Sequence, residues 1–224
     1  MSRQKNLKKR NEILSSSFKL FSKKAYNDVT MNDIAVSASI SKSLLQYYFQ
    51  QKKNIVGNML TDLLEKSFEY VDYNLASTTE IYVKLSVYAN LFFSVILEQD
   101  DLRRFINNVI RNENLLDLWI NIVNDWLESM NDKYFKKNLN DRYLIALTFS
   151  MGGGSNLLSK YELEVSGSYI AQQMVSSFIN ILDDSNSEIG QIIKQSNKLI
   201  KKIDIKDFER YYQKEVLWYG NREQ

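Results

Sequence analysis

The segment SISKSLLQYYFQQKKNI, residues 39–55, decides the fold class of this chain. It is too short and too polar for a helix inside a core, yet its middle is apolar. Ser41 can cap a helix start, because a serine hydroxyl accepts a hydrogen bond from a backbone amide of the first turn. A helix from Ser41 to about Tyr48 turns Leu44, Leu45 and Tyr48 inward. The side chains left outside are then Lys42, Ser43, Gln46 and Tyr47.

A second short helix is predicted immediately before this segment. Thr30 has an acidic residue, Asp33, three positions later, which is the pattern of a capping box at a helix start. This helix buries Ile34, Ala35 and Ala38. Two short helices joined by a turn form a helix-turn-helix, whose second helix is small enough to enter a DNA major groove.

The remaining sequence predicts an all-α protein. Proline is absent and glycine occurs seven times, so few residues interrupt helices. Apolar residues recur at helical spacing in residues 5–24, in a long helix from Lys52, and in seven later segments. These segments are residues 78–97, 101–111, 113–135, 140–162, 166–183, 186–203 and 204–218. The glycine-rich MGGGSN at 151–156 lacks the Lys and Ser/Thr of a phosphate-binding loop, so we predict a closely packed helix there.

Several classes of protein are disfavoured by composition. Cysteine and histidine are both absent, which removes the usual metal ligands, the thiolate nucleophile and the commonest general base. We therefore expect no metal, no cofactor and no enzymatic activity. No apolar signal segment or run of 18 uncharged apolar residues is present, so we expect a cytoplasmic, nucleoid-associated protein and no membrane partner.

Charge is distributed unevenly along the chain. Residues 1–55 hold eleven Lys or Arg and three Asp or Glu, a net charge of +8, which leaves −6 for the rest of a chain whose total is +2. Such asymmetry is typical of a polyanion-binding part joined to a part that does not bind polyanions. We predict a helix-turn-helix domain at 1–54 and a helical body at 55–224.

These residues resemble the tetracycline-repressor (TetR) family of bacterial transcription regulators. ILSSSFKLFSKKAY resembles the first helix of that family, VTMNDIAVSASIS its second helix and turn, and SKSLLQYYFQQKKNI its recognition helix. The chain departs from the family pattern at Ala25, Ser39, Ser43, Gln46 and Tyr47. The loss of glycine at Ser39 predicts either a slightly strained backbone or a different turn.

The resemblance implies a homodimer that binds a double-stranded DNA operator, with a C-terminal domain for effector binding and dimerisation. A repressor released by a small, largely apolar effector is the expected function. Lys52 would oppose the helix dipole at a helix start unless a phosphate lies nearby, so we predict that it contacts DNA. The predicted DNA-binding residues are Lys9, Thr30, Ser41, Lys42, Ser43, Gln46, Tyr47, Tyr48 and Lys52.

Two further sets of residues are assigned to the helical body. Aromatic residues that could line an effector pocket are Tyr88, Phe92, Trp119, Trp126 and Phe149. Two late apolar stripes are candidates for the dimer interface, and they contain Ile170, Met174, Phe178, Ile189 and Ile193. Two alternatives remain open: a DNA-binding protein of the same fold with no small-molecule effector, and a helical enzyme that uses carboxylates or tyrosines.

Overall fold

The structure, a computed structural model, describes residues 2–129, 140–160, 166–182 and 188–220, and all regular elements among them are helical. The all-α prediction is confirmed. The helices are α1 (Ser2–Phe21), a 3-10 turn (Tyr26–Asp28), α2 (Met31–Ser37), α3 (Lys42–Tyr48), α4 (Lys52–Asn74), α5 (Ile81–Glu98), α6 (Asp100–Ile110), α7 (Glu113–Ser129), α8 (Asn140–Lys160), α9 (Gly167–Leu182), α10 (Ile189–Ile200), α11 (Ile205–Glu215) and α12 (Leu217–Gly220). Helix α4 begins at Lys52, so the domain limit predicted at residue 54 lies in its first turn.

Helices α1 to α3 form a small cluster around one apolar stripe of α1. Ile13, Leu14, Phe18 and Phe21 are all buried, as their helical spacing predicts. Helix α2 packs on α1 and on α3, and α3 contributes Leu45 to the same core. The short helices α2 and α3 are therefore held by tertiary packing, because seven residues are too few for a stable isolated helix.

The turn between α2 and α3 contains a left-handed residue. Ser39 has φ 52°, a conformation that glycine adopts far more readily than serine. The amide of Ser39 donates to the Val36 carbonyl, and the amide of Ile40 donates to the Ala35 carbonyl, both at 3.0 Å. The strain predicted at Ser39 is confirmed, and left-handed backbone of this kind costs about 1–2 kcal/mol per non-glycine residue.

Helix α5 is the central helix of the body and packs against α4, α6, α9 and α10. Within the described residues it is the one helix long and apolar enough to cross a membrane, with 67% of that window buried inside the protein. A mostly buried apolar helix is the normal core of a helical body. Its Lys84 is buried as well and forms an ion pair with Asp72 of α4.

The helix predicted across MGGGSN is confirmed, because α8 continues without interruption through all three glycines. Gly154 lies against α9, and a Cβ atom placed there would come within 2.4 Å of the Met174 sulfur. Gly152 and Gly153 instead face open space, where a Cβ would meet nothing within 4 Å. Close packing of α8 on α9 therefore explains one glycine of the three.

The last described helix, α12, packs against α1. Trp218 and Tyr219 of α12 are buried, with ring centroids 5.3 Å and 5.7 Å from that of Phe18 in α1. The Trp218 indole N–H donates to a carboxylate oxygen of Asp62 in α4 at 2.9 Å. Asp62 also accepts hydrogen bonds from Arg10 of α1. The C-terminal helix thereby connects α1 to α4.

Candidate DNA interface and interior cavity

Helix α3 presents a polar and aromatic face to solvent. The Ser41 hydroxyl accepts a hydrogen bond from the Leu44 amide at 3.1 Å, which confirms the predicted cap. The exposed side chains of this helix include Lys42, Ser43, Gln46 and Tyr47, the last of which is 76% exposed. Leu45 and Phe49 are buried and anchor the helix from the other side.

One residue of α3 is turned differently from the prediction. Leu44 was expected to point inward, but it is 37% exposed. Leu45 and Phe49 are four residues apart and define the buried face, and Leu44 lies about 100° around the helix from Leu45. Tyr48 is half-buried and its ring contacts that of Tyr47 at 5.6 Å between centroids. The exposed surface of α3 is therefore more apolar than the sequence pattern predicts.

The predicted capping box at the start of α2 is confirmed. The Asp33 amide donates to the Thr30 hydroxyl at 3.1 Å, while the Thr30 amide and hydroxyl donate to the Asp33 carboxylate at 2.8 Å and 2.7 Å. The hydrogen bond from the Thr30 hydroxyl, followed by that from its backbone amide, lowers the pKa of Asp33. The carboxylate therefore stays ionised at the positive end of the helix, and the Thr30 hydroxyl is already hydrogen bonded within the chain.

Lys52 makes contacts inside the protein. Its ammonium donates to the carbonyl oxygens of Tyr26 and Val29, at 2.5 Å and 2.6 Å, and lies 3.9 Å from the centre of the Tyr26 ring. Partial burial lowers the pKa of Lys52, and the nearby carboxylates of Asp28 and Asp33 oppose this shift. These contacts explain how a lysine is stabilised at the positive end of a helix without a bound phosphate.

The basic residues near the N-terminus belong to α1. Lys9 forms an ion pair with Glu12 one turn later, and it is half-buried. Arg10 donates to Asp62 and, at 2.9 Å, to the side-chain oxygen of Asn58. Part of the positive charge of this segment is thus used to join α1 to α4.

An apolar cavity of about 100 Å³ lies between α5, α7, α8 and α9. Four of the five aromatic residues assigned to an effector pocket line it: Tyr88, Phe92, Trp119 and Trp126. The fifth, Phe149, is wrongly assigned, because it is 69% exposed. Leu147 and Met151, two positions to either side of it on α8, line the cavity, so Phe149 projects from the opposite face.

The cavity wall carries few polar groups and no charged side chain among its described residues. The Ser150 hydroxyl donates to the Leu147 carbonyl within α8. Burial raises the pKa of the Tyr88 hydroxyl, so this group stays protonated and can donate a hydrogen bond. The other residues of the wall are Leu85, Ala89, Phe93, Val123, Leu127, Met151, Met174, Val175 and Phe178. The lining of this cavity is therefore suited to neutral, largely apolar groups.

Most residues predicted for the dimer interface pack against other helices of the same chain. Ile170 and Phe178 are buried, because the apolar stripe of α9 packs on α5 and α8. Met174 lines the cavity, while Ile189 and Ile193 on α10 are half-buried. The α9 stripe is therefore not available to a second chain.

A different apolar surface was missed by the sequence pattern. Leu144, Ile145 and Phe149 of α8 are exposed, as is Tyr169 of α9. The run LIALTF thus carries apolar residues on both the buried and the exposed face of the helix.

Comparison with known proteins gives a match at the N-terminal end. Residues 13–59 match the model of the bacterial regulatory proteins of the tetR family. IcaR of Staphylococcus aureus, the negative transcriptional regulator of the biofilm operon icaADBC, is 41% identical over 46 residues, which are 20% of this chain and 25% of IcaR. The chain thus spans about a quarter of the length of the curated relatives that it matches.

Comparison with solved structures gives two regulators named FadR. The fatty acid degradation regulator of Bacillus halodurans is 14% identical with a TM-score of 0.47, over 80% of this chain and 96% of that one. The Bacillus subtilis protein, in complex with stearoyl-CoA, is 12% identical with a TM-score of 0.48, over 77% and 97%. Over residues 13–59, which contain the helix-turn-helix, this chain is thus similar to the bacterial regulatory proteins of the tetR family.

Proposed function

We propose that this chain is a DNA-binding transcriptional regulator of the TetR type. It acts as a repressor in the cytoplasm, binds a palindromic operator as a homodimer and is released by a small, largely apolar effector. The observation that carries the proposal is the exposed face of α3, held on a buried Leu45 within the segment that matches the family. The repressor role is supported by the similarity of this segment to a negative regulator.

The experiment that tests this function is selection of genomic DNA fragments by the purified protein. We expect recovery of an inverted repeat whose half-sites lie about 34–36 Å apart, or a multiple of that distance, because both α3 helices of a dimer must enter major grooves on one side of the duplex. Recovery of fragments without a shared sequence would contradict a sequence-specific regulator.

Base recognition is assigned to Gln46, with Lys42, Ser43 and Tyr47 beside it on the exposed face of α3. A glutamine amide can form two hydrogen bonds with adenine, which contribute about 1–3 kcal/mol of discrimination. Gln46→Ala is therefore expected to relax the preference at one symmetric pair of operator positions while random DNA is bound as before. Competition binding against operator variants measures this.

The control is Gln50→Ala, which removes the same side chain from an exposed position just after α3. It should leave the base preference unchanged. Equal weakening of all sequences by Gln46→Ala would place Gln46 on the phosphates instead.

The cavity supports the effector part of the proposal. Its volume of about 100 Å³ is smaller than the ~150 Å³ apolar cavity that accepts benzene or xenon, so a larger effector must displace its walls. A ligand that fits only the displaced arrangement shifts the population toward it. Helix α5 of the wall also packs on α4, the helix that follows α3, so displacement can reach the DNA-binding helices.

Xenon is the probe for this cavity, because a single atom needs no displacement of the walls. Ala89 lies in the wall, and Ala89→Leu is expected to fill the space and abolish xenon-induced shifts in the NMR spectrum. Ala76→Leu adds the same atoms at an exposed position and should leave the xenon-induced shifts unchanged. Unaltered xenon binding in Ala89→Leu would remove the cavity as the effector site.

We assign the dimer interface to the exposed apolar surface of α8 instead of the buried stripe of α9. Leu144, Ile145 and Phe149 are large apolar side chains, and contiguous apolar surface of this kind usually marks an interaction site. Gly152 and Gly153 further along α8 expose bare backbone, which permits close approach by a second helix. A second copy of the chain suits this surface, since its own α8 would offer the same apolar groups.

Phe149→Glu is expected to convert the dimer into a folded monomer, because it places a charge in a desolvated contact without touching the core. Sedimentation equilibrium measures the change, and circular dichroism checks that the helices remain. Tyr73→Glu is the matched control, since Tyr73 is 90% exposed on α4. An unchanged dimer in Phe149→Glu would exclude this surface.

A further inference from the structure

A second concave region lies where the end of α1 meets α6. This cleft of about 260 Å³ is lined by residues 21–25 on one side and by Arg104, Asn107, Asn108 and Arg111 on the other. The last four residues, three in α6 and Arg111 directly after it in helical conformation, follow an i, i+3, i+4, i+7 spacing and therefore share one helix face. We call this region the basic cleft.

Positive side chains stand on both walls of the basic cleft. Lys23 and Lys24 follow the end of α1, Arg104 and Arg111 face them from α6, and all four are exposed. No carboxylate lies among the described residues of the lining. Arg104 pairs with Asp101 at 3.2 Å, and Lys24 interacts electrostatically with Asp33.

The favourable interaction of cations with helix C-termini explains only some of these basic residues. Cations are favoured just after helix C-termini, and Lys23, Lys24 and Arg111 occupy such positions. Arg104 lies in the middle of α6 and has no such role. Its ion pair with Asp101 is largely exposed, and pairs of this kind contribute little to stability.

The walls are fixed relative to each other by Asn108. Its amide nitrogen donates to the carbonyls of Phe21 and Lys24 at 2.7 Å and 2.9 Å, and its oxygen accepts from the Tyr26 amide at 3.0 Å. Three hydrogen bonds from one α6 side chain hold the turn after α1 in place. The backbone that carries the cations of both walls is thus arranged before any ligand arrives, which lowers the entropic cost of binding.

We propose that the basic cleft binds a phosphate group. Guanidinium groups form paired, charge-assisted hydrogen bonds with phosphate oxygens, and the ammonium groups of the facing wall add charge. The phosphate comes either from a phosphorylated small molecule or from the DNA backbone. The cleft lies between α6 and the turn that leads into α2. A bound phosphate therefore stabilises the contact between the body and the helix-turn-helix.

Calorimetric titration of the full chain with inorganic pyrophosphate, at constant ionic strength, tests the site. We expect one saturable site per chain, and Arg104→Gln with Arg111→Gln should weaken it by at least about tenfold. The charge-matched control is Arg103→Gln with Arg210→Gln, which removes two exposed arginines outside the cleft. No saturable binding, or equal weakening in both double variants, would overturn the proposal.

Folding and the source of the phosphate are checked separately. Arg104→Gln alone changes a side chain that is 57% exposed, so it keeps the test valid if the double variant unfolds. If DNA supplies the phosphate, the double variant also lowers the salt dependence of DNA binding by about one phosphate contact per chain. If a small molecule supplies it, that dependence stays unchanged while the pyrophosphate affinity falls. The titration is independent of DNA binding, so it stands even if the proposed function fails.

Discussion

DNA binding by this chain is expected to weaken by about 10³ to 10⁵ between 50 and 200 mM salt. Neutralising ~6 to 10 phosphates releases bound counterions, and the affinity then falls steeply with salt. The net charge of +8 on residues 1–55, against −6 elsewhere, makes these contacts available at one end of the chain only.

The structure identifies which charges can take part. Lys9, Arg10 and Lys52 bind acceptors within the chain. Within residues 6–55, six lysines are exposed: Lys8, Lys19, Lys23, Lys24, Lys42 and Lys53. A dimer doubles this number, so ~6 to 10 contacts require only part of them to face the duplex.

Fluorescence anisotropy with a labelled operator at several salt concentrations measures the slope of log affinity against log salt. Lys53→Gln should make this slope shallower by about two phosphate contacts in a dimer. Lys202→Gln, an exposed change after α10, should not alter it. A slope near zero in the unmodified protein would mean that the basic residues are merely solvated.

Local patterns were sufficient to predict the helix-turn-helix. The caps at Thr30 and Ser41 depend on residues three positions apart, and the apolar stripe of α1 depends on residues within one helix. Such signals lie within a few residues of each other. The helices and the turn could therefore be predicted from the sequence, whereas the strain at Ser39 was implied by the family resemblance, in which glycine is common at this position.

Contacts between distant segments could not be predicted in the same way. Lys52 binds carbonyls that lie 23 and 26 residues earlier, so the helix-dipole argument for a phosphate contact omitted its actual partners. The α9 stripe at Ile170 and Phe178 has the spacing of an interface, but an apolar stripe does not indicate what covers it. Here α5 and α8 cover it, and the exposed apolar surface lies on α8.

The cavity could be predicted from the sequence only in part. Tyr88 and Phe92 are one helical turn apart on α5, so their common face follows from the sequence. Their meeting with Trp119 and Trp126 of α7 depends on helix packing, which composition does not specify. The same uncertainty led to the wrong assignment of Phe149, since α8 is apolar on opposite faces.

The single helix predicted at residues 204–218 is divided in the structure into α11 and α12, and α12 has the largest expected effect on stability. Trp218 is 1% exposed, and its ring lies among those of Phe18, Phe105 and Tyr219. Its N–H reaches Asp62, which also binds Arg10. Trp218 therefore contacts helices on both sides of the joint between the helix-turn-helix and the body.

Trp218→Ala is expected to lower the free energy of unfolding by about 3–5 kcal/mol, because it leaves a cavity under α1 and removes a hydrogen bond from Asp62. Trp218→Phe keeps most of the ring contacts and should lose only part of this, about 1.5–3 kcal/mol for a hydrogen bond to a charged group, because the same Asp62 oxygen still accepts from Arg10. Urea denaturation followed by circular dichroism measures both, and Tyr73→Ala on the exposed side of α4 should be near neutral. Because Phe18 packs between Trp218 and Phe105, loss of the indole also frees α1 to move relative to α6, so operator affinity should fall in Trp218→Ala even where the protein remains folded. A loss of stability below about 1 kcal/mol in Trp218→Ala would mean that α12 does not pack on α1.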